Sequence, residues 1–270
     1  MRRPALKAAR TGQAIEEKNY TAVAAGRRES GQMILYADYS DTGGRPCNED
    51  TVGCVRGDDT HMCVVLADGL GGHGGGKTAS GEAVRVILEG WEENTPAAVL
   101  CELIQAAHRR VLELQTPVCK MKTTAVVLSL EPGQARWAHV GDSRLYHFVD
   151  GDLVFQTRDH SASQIAVLMN QIRPEEIRFH EDRSNIYRAL GQENGLSVDA
   201  KEEELSEGRH AFLLCTDGFW EYVYETEMEE TLKASSSPGD WLERMRCYIG
   251  ERAGDGNDNN TAAAVWMSDT

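Results

Sequence analysis

The sequence predicts an α+β fold built on antiparallel sheet, and three observations predict it. Short apolar runs of strand type come in clusters joined by turn residues, and the two long helical patterns are consecutive. No repeat or long linker divides the chain. A doubly wound parallel sheet would instead need strands and helices to alternate strictly. With 270 residues, 41% hydrophobic and 26% charged, the chain can bury a substantial core.

The first 30 residues carry seven Lys and Arg against three Glu, although the whole chain has a net charge of −15. Residues 1–30 are therefore read as a basic extension and 31–270 as a single domain. The extension lacks the apolar stretch of a signal peptide, and the chain offers no run of about 18 apolar residues for a membrane span. The expectation is a soluble, cytoplasmic protein with no membrane partner. Seven cysteines with no C-x-x-C spacing fit reduced thiols. The acidic balance repels a phosphate backbone, so no nucleic-acid partner is expected.

Strands are expected at 33–39, 61–67, 124–130, 135–140, 145–148, 211–215 and 261–267. Glu131-Pro132-Gly133 joins two of them as a hairpin. A helix is expected over 77–91, where Ala79, Ala83, Val84, Ile87, Leu88 and Trp91 recur at helical spacing. A second helix follows over 96–116, and a weaker pattern runs over 241–249. Residues 151–210 are polar and irregular, with one helical patch near 161–172, and read as a surface flap.

The chemistry lies at the ends of the apolar runs. Asn48-Glu49-Asp50 opens a segment, Asp68-Gly69 follows Cys63-Val64-Val65-Leu66-Ala67, Asp217-Gly218 follows Phe212-Leu213-Leu214-Cys215-Thr216, and Asp258 precedes the last strand. A lone carboxylate at the rim of a core is expensive to bury. With no Lys or Arg cluster to match them, these acids and the Gly69 and Gly218 carbonyls suit hard, oxygen-seeking Mg²⁺ or Mn²⁺. Any single Asp-Gly is adequately explained as a turn; four together favour a metal.

Gly71-Gly72-His73-Gly74-Gly75-Gly76-Lys77-Thr78 also satisfies the P-loop pattern, which makes a nucleotide hydrolase a rival. A dinucleotide reading of Gly69-Leu70-Gly71-Gly72-His73-Gly74 with Glu89 is weaker, because Glu89 lies inside a helical pattern. Both place a polyphosphate close to Asp68, and both need parallel strands. Asp255-Gly256-Asn257-Asp258-Asn259-Asn260 fails as a calcium loop, since its sixth position lacks glycine and its twelfth is Trp266.

Taken in order, Arg45-Pro46-Cys47-Asn48-Glu49-Asp50, Asp68-Gly69-Leu70-Gly71-Gly72-His73, Thr123-Thr124, Gly141-Asp142-Ser143-Arg144, Thr157-Arg158-Asp159-His160-Ser161, Arg188-Ala189-Leu190-Gly191, Cys215-Thr216-Asp217-Gly218 and Asp258-Asn259-Asn260-Thr261 resemble the metal-dependent type 2C protein phosphatases, above all the compact bacterial ones. The resemblance spans about residues 33–267. It implies a four-layer α-β-β-α sandwich, two antiparallel sheets flanked by helices, with a flap subdomain. It also implies a two-metal site, with hydrolysis of phosphoserine and phosphothreonine in proteins.

By that resemblance Asp68 bridges two Mn²⁺ or Mg²⁺ ions, with the Gly69 carbonyl as a further contact. Asp217 and Asp258 complete the first ion, Asp50 serves the second, and Glu49 holds water on the metal. Asp142 belongs to a third, weaker ion near the flap, and Arg45 clamps the phosphate. Two departures stand out. Leu70 occupies the place where some members carry histidine, so His73 becomes the candidate for protonating the leaving alkoxide, against a purely structural role. Lys122 replaces the usual glycine before Thr-Thr.

The expectation is thus an active protein serine/threonine phosphatase, a monomer, acting on phosphorylated proteins opposite a protein kinase. Its rivals are a catalytically silent phosphoprotein-binding module of the same fold and the P-loop hydrolase.

Overall fold

The computed structural model describes residues 10–11, 33–70 and 75–268. Of the expected extension only β1 (Arg10–Thr11) falls among them. In chain order the strands continue with β2 (Met33–Asp41), β3 (Thr51–Arg56), β4 (Met62–Ala67), β5 (Gly69–Leu70) and β6 (Lys122–Thr123). They go on with β7 (Ala125–Glu131), β8 (Gln134–Val140), β9 (Arg144–Val149), β10 (Asp152–Gln156), β11 (Asp199–Glu204), β12 (His210–Cys215) and β13 (Asn260–Ser268). The helices are α1 (Gly75–Gly90), α2 (Ala97–Leu114), α3 (Ala162–Leu168), α4 (Asp217–Trp220), α5 (Glu225–Ala234) and α6 (Pro238–Arg252), with a 3₁₀ turn at Pro174–Phe179.

Every strand pairing among the described residues is antiparallel. One sheet runs β1-β3-β4-β7-β8-β11 and the other β10-β9-β12-β13-β2, while β5 and β6 form a small separate pair. The hairpin between β7 and β8 turns at Pro132-Gly133, where proline fixes a negative φ and Gly133 adopts φ +73°.

The two-residue side-chain period sorts the core into layers. Met62, Val64 and Leu66 of β4 and Val126, Leu128 and Leu130 of β7 point inward, meeting Phe212, Leu214, Ala263, Val265 and Met267 of the second sheet. Their neighbours Cys63, Val65, Ala67, Ala125 and Val127 point outward, against Ala83, Val84, Ile87, Leu100 and Ile104 of α1 and α2. On the far side Leu213, Cys215, Ala262 and Ala264 meet Phe219, Trp220, Met228, Trp241 and Met245 of α4, α5 and α6. The result is the expected four-layer α-β-β-α sandwich. Each fully buried aliphatic side chain contributes about 1.5–3 kcal/mol of transfer free energy, so a one-residue slip of β4 would be prohibitive.

Helix starts are locally encoded. Ser161 accepts from the Gln164 amide at the start of α3, and Ser237 accepts from the Asp240 amide, with Pro238 as the first residue of α6. Among the elements that go beyond the sequence expectation are β3, β10, β11 and α5, besides the short β1, β5, β6 and α4. Strand β11 is exposed along most of its length and reads Asp-Ala-Lys-Glu-Glu-Glu, a charged sheet edge with no apolar signal. Helix α5 buries only Met228 and Thr231, too little to give a periodic pattern. Strands β10 and β11 lie within 151–210, at its two ends, and α3 with the 3₁₀ turn lies between them. No helix among the described residues is long and apolar enough to cross a membrane.

Candidate metal centre

The acidic residues singled out in the sequence leave the strands at one end of the sandwich. Asp68 directly follows β4, Asp50 directly precedes β3, and Asp217 opens α4 just after β12. Asp142 sits in the turn from β8 to β9, and Asp258 lies just before β13. Burial, then the charges of Asp50, Asp217, Asp142 and Asp258, holds the Asp68 carboxyl well above the usual carboxylate range. That mutual repulsion shows that the five groups share one locale. Burial also pushes Asp50 and Asp217 up to about 7, and it holds Asp142 high together with the charges of Asp217 and Asp159.

The chain uses its donors to fix the backbone here and leaves the carboxylate oxygens open. The Thr124 amide and the Thr123 hydroxyl donate to the Asp68 carbonyl at 2.9 and 2.8 Å, and the Asp68 amide donates to Thr124 Oγ1 at 2.9 Å. Lys77 Nζ donates to the Asp50 carbonyl at 2.6 Å, and Trp220 Nε1 donates to the Asp142 carbonyl at 3.0 Å. Asn259 accepts from the Glu49 amide at 2.8 Å and donates to the Thr42 and Cys47 carbonyls, tying the loop before β13 to three points of the β2–β3 connection. By contrast Glu49 Oε1, Asp50 Oδ1, both oxygens of Asp142 and Asp217 Oδ1 are buried without a partner. The other Asp50 oxygen accepts from Thr216 Oγ1 at 3.0 Å.

Buried, unpaired carboxylate oxygens are costly and rare in folded proteins. Oxygen-seeking divalent cations would satisfy them, so the donor set fits Mn²⁺ or Mg²⁺. Gly69 and Gly76 approach each other closely beside the site for a steric reason. A Cβ on Gly76 would come 2.6 Å from the Gly69 oxygen and 2.8 Å from Glu49 Cδ, so only glycine permits α1 to start against this loop. A tighter trio of potential ligand atoms, Asp58, His61 and Glu93, lies in and beside the β3–β4 turn. There Asp58 Oδ1 already accepts from the Thr60 and His61 amides, which accounts for it as turn chemistry.

Arg45 stands at the exposed rim, with Nη2 2.9 Å from Asp258 Oδ2. His73 and the glycines 71, 72 and 74 lie outside the described residues. The Lys77 ammonium is committed to the Asp50 carbonyl, and the strand before it belongs to an antiparallel sheet. Both features remove the basis of the P-loop reading. Asn259, Thr216 and Trp220 are positioning groups that residue-by-residue reading did not single out. Asn259 and Thr216 stand beside the expected aspartates, and that adjacency was the available signal.

Residues 41–247 match the family model for Protein phosphatase 2C. The serine/threonine phosphatase stp of Listeria welshimeri is 32% identical over 218 residues, covering 76% of this chain and 86% of that protein. The crystal structure of Stp1 from Staphylococcus aureus superposes with a TM-score of 0.77 at 26% identity, covering 91% of this chain and 99% of that one. The catalytic domain of PstP, solved with two manganese ions, gives a TM-score of 0.74 at 27% identity, covering 88% of this chain and 100% of that one.

Proposed function

Because the chain belongs to the protein phosphatase 2C family, we propose that it hydrolyses phosphoserine and phosphothreonine esters in proteins with the aid of Mn²⁺ or Mg²⁺. The observation that carries this reading is the group of buried carboxylate oxygens left without partners at one end of the sandwich. When bound, a pair of such ions supplies Lewis acidity and lowers the pKa of water toward neutrality, which an otherwise extremely slow hydrolysis requires.

The protein's own part is to hold and orient. Asp68, with the Gly69 carbonyl, would be shared between two ions, Asp217 and Asp258 would hold one of them, Asp50 the other, and Asp142 a third. Glu49 is assigned to orient water. Arg45 is assigned the phosphate: its side chain is 52% exposed, and its fork can exchange the Asp258 carboxylate for two phosphoryl oxygens. His73 is the proposed proton donor to the leaving oxygen. Cys63 and Cys215 are disfavoured as nucleophiles, since burial pushes their thiols up. Residues 151–210, from β10 through β11, are the proposed flap. Residues 31–270 are the proposed catalytic domain and 1–30 its basic extension, in a monomeric cytoplasmic enzyme opposing a serine/threonine kinase.

The test is hydrolysis of p-nitrophenyl phosphate and of phosphothreonine peptides with and without Mn²⁺. Turnover that requires the ion and stops with EDTA supports the reading. Tight metal binding without turnover would mean a silent binding module instead.

A further inference from the structure

Beside the metal centre lies a groove of about 920 Å³ whose lining includes Lys120, Lys122 and Arg188 against a single carboxylate, Glu193. In a chain of net charge −15 this is a local reversal of sign. The cations are available for exchange. Lys120 meets Glu193 at 2.9 Å with both side chains more than half exposed, and Arg188 meets the exposed Asp199 at 3.1 Å. Exposed pairs of this kind hold weakly. The Lys122 side chain is exposed and makes no hydrogen bond or ion pair with any described residue.

The groove is anchored directly to the catalytic loop. Lys122 pairs with Leu70, two residues beyond Asp68, and its neighbour Thr123 grips the Asp68 carbonyl. On its other side Thr123 exchanges backbone hydrogen bonds with Leu190 at 3.2 and 2.8 Å. Gln115 Nε2 donates to the Met121 and Gly191 carbonyls, both at 2.7 Å, closing the floor. An extended peptide advances about 3.3 Å per residue, so a substrate with its phosphorylated residue at Asp68 would run its next residues past Lys122. The metal centre is itself a cluster of carboxylates, so an acidic flank is accepted only where cations face it.

We propose that this groove binds aspartate and glutamate side chains adjoining the phosphorylated residue of protein substrates, with Lys122 as the principal contact. This rests on the phosphatase reading and names the sequence class that the same site selects.

The test uses the full chain and three phosphothreonine peptides of equal length with acidic, neutral or basic flanks. Turnover is read with Mn²⁺, and affinity by fluorescence anisotropy without it. The acidic peptide should exceed the neutral one in kcat/KM and in affinity at low salt, and the gap should close at high salt. In K122E the acidic-to-neutral ratio should fall roughly fivefold or more, with a smaller fall in K120E and most of the preference kept in K122R. Acidic preference in binding, lost in K122E, would support the groove even if p-nitrophenyl phosphate were not hydrolysed, an outcome that sinks only the phosphatase reading. A wild-type ratio of one, a ratio unmoved by K122E, or equal displacement of the acidic peptide by a single-stranded oligonucleotide would overturn the proposal.

Discussion

Asp142 and Asp159 are both buried, stand near one another, and are treated in opposite ways. Asp159 receives two hydrogen bonds from the Arg144 guanidinium, each 2.8 Å, and that guanidinium also donates to the Tyr146 hydroxyl and lies 3.6 Å over the Trp220 ring. Asp142 has no partner for either oxygen, and its carboxyl is held far above the normal range. Where a buried charge only has to hold the chain together, the fold supplies the counter-charge itself. At the metal centre it withholds one, and the missing charge defines what must bind.

The largest effect should come from breaking the satisfied member. Asp159→Ala strips the buried Arg144 guanidinium of its two-bond carboxylate partner, leaving only Glu225 at 3.7 Å to balance its charge, and should cost about 3–5 kcal/mol in urea unfolding. Asp142→Asn in metal-free protein should leave stability unchanged or raise it, because it replaces a buried carboxyl that has no partner for either oxygen. If both variants lose stability alike, the contrast between the two aspartates is wrong.

Next in size, Asp68→Asn should lower Mn²⁺-dependent turnover by roughly 10²- to 10³-fold, the scale on which one transition-state contact is lost. The fold should survive, and calorimetry should show weakened Mn²⁺ binding.

Protons and metal ions should compete for the open carboxylates. Asp50 and Asp217 sit at about 7 in the fold against about 4 in the unfolded chain, so between those values the folded state holds more protons. Their contribution to metal-free stability therefore falls as pH rises through that window. His147, which burial pushes down to about 4, acts in the other direction: its share is lost as pH falls from about 6.5. Saturating Mn²⁺ cancels only the carboxylate share. The rise in melting temperature on adding Mn²⁺ should thus grow from pH 5 to pH 8, and a flat response would contradict the assignment.

The smallest changes concern Arg45. Arg45→Ala should raise KM for a phosphopeptide about tenfold, the scale of one charged hydrogen bond. Mn²⁺ affinity should change by less than about 1 kcal/mol, because the Arg45–Asp258 pair is exposed. Loss of the metals in this variant would move Arg45 from substrate to scaffold.

The comparison also explains what could be read from the sequence. Asp68 and Asp217 were legible because each ends an apolar run, and a carboxylate placed there has no partner within local reach. The Arg144–Asp159 pair could not be seen as a pair, since strand direction and not spacing brings its members together. Lys77 was misleading, because one short motif fits both a phosphate cradle and a glycine-rich helix start, and only the position of its ammonium separates them. Strand β3 carries Gly53 at its centre, and β11 is charged at every position but Ala200, so neither displays the alternation from which strands are read.

The hydrogen atom that serves as the side chain of Gly76 has a consequence for affinity. A methyl group there would act as a spacer, wedging the start of α1 away from the loops that carry Glu49 and Gly69. How firmly this protein grips its ions is therefore set in part by a residue that has no functional group to offer them.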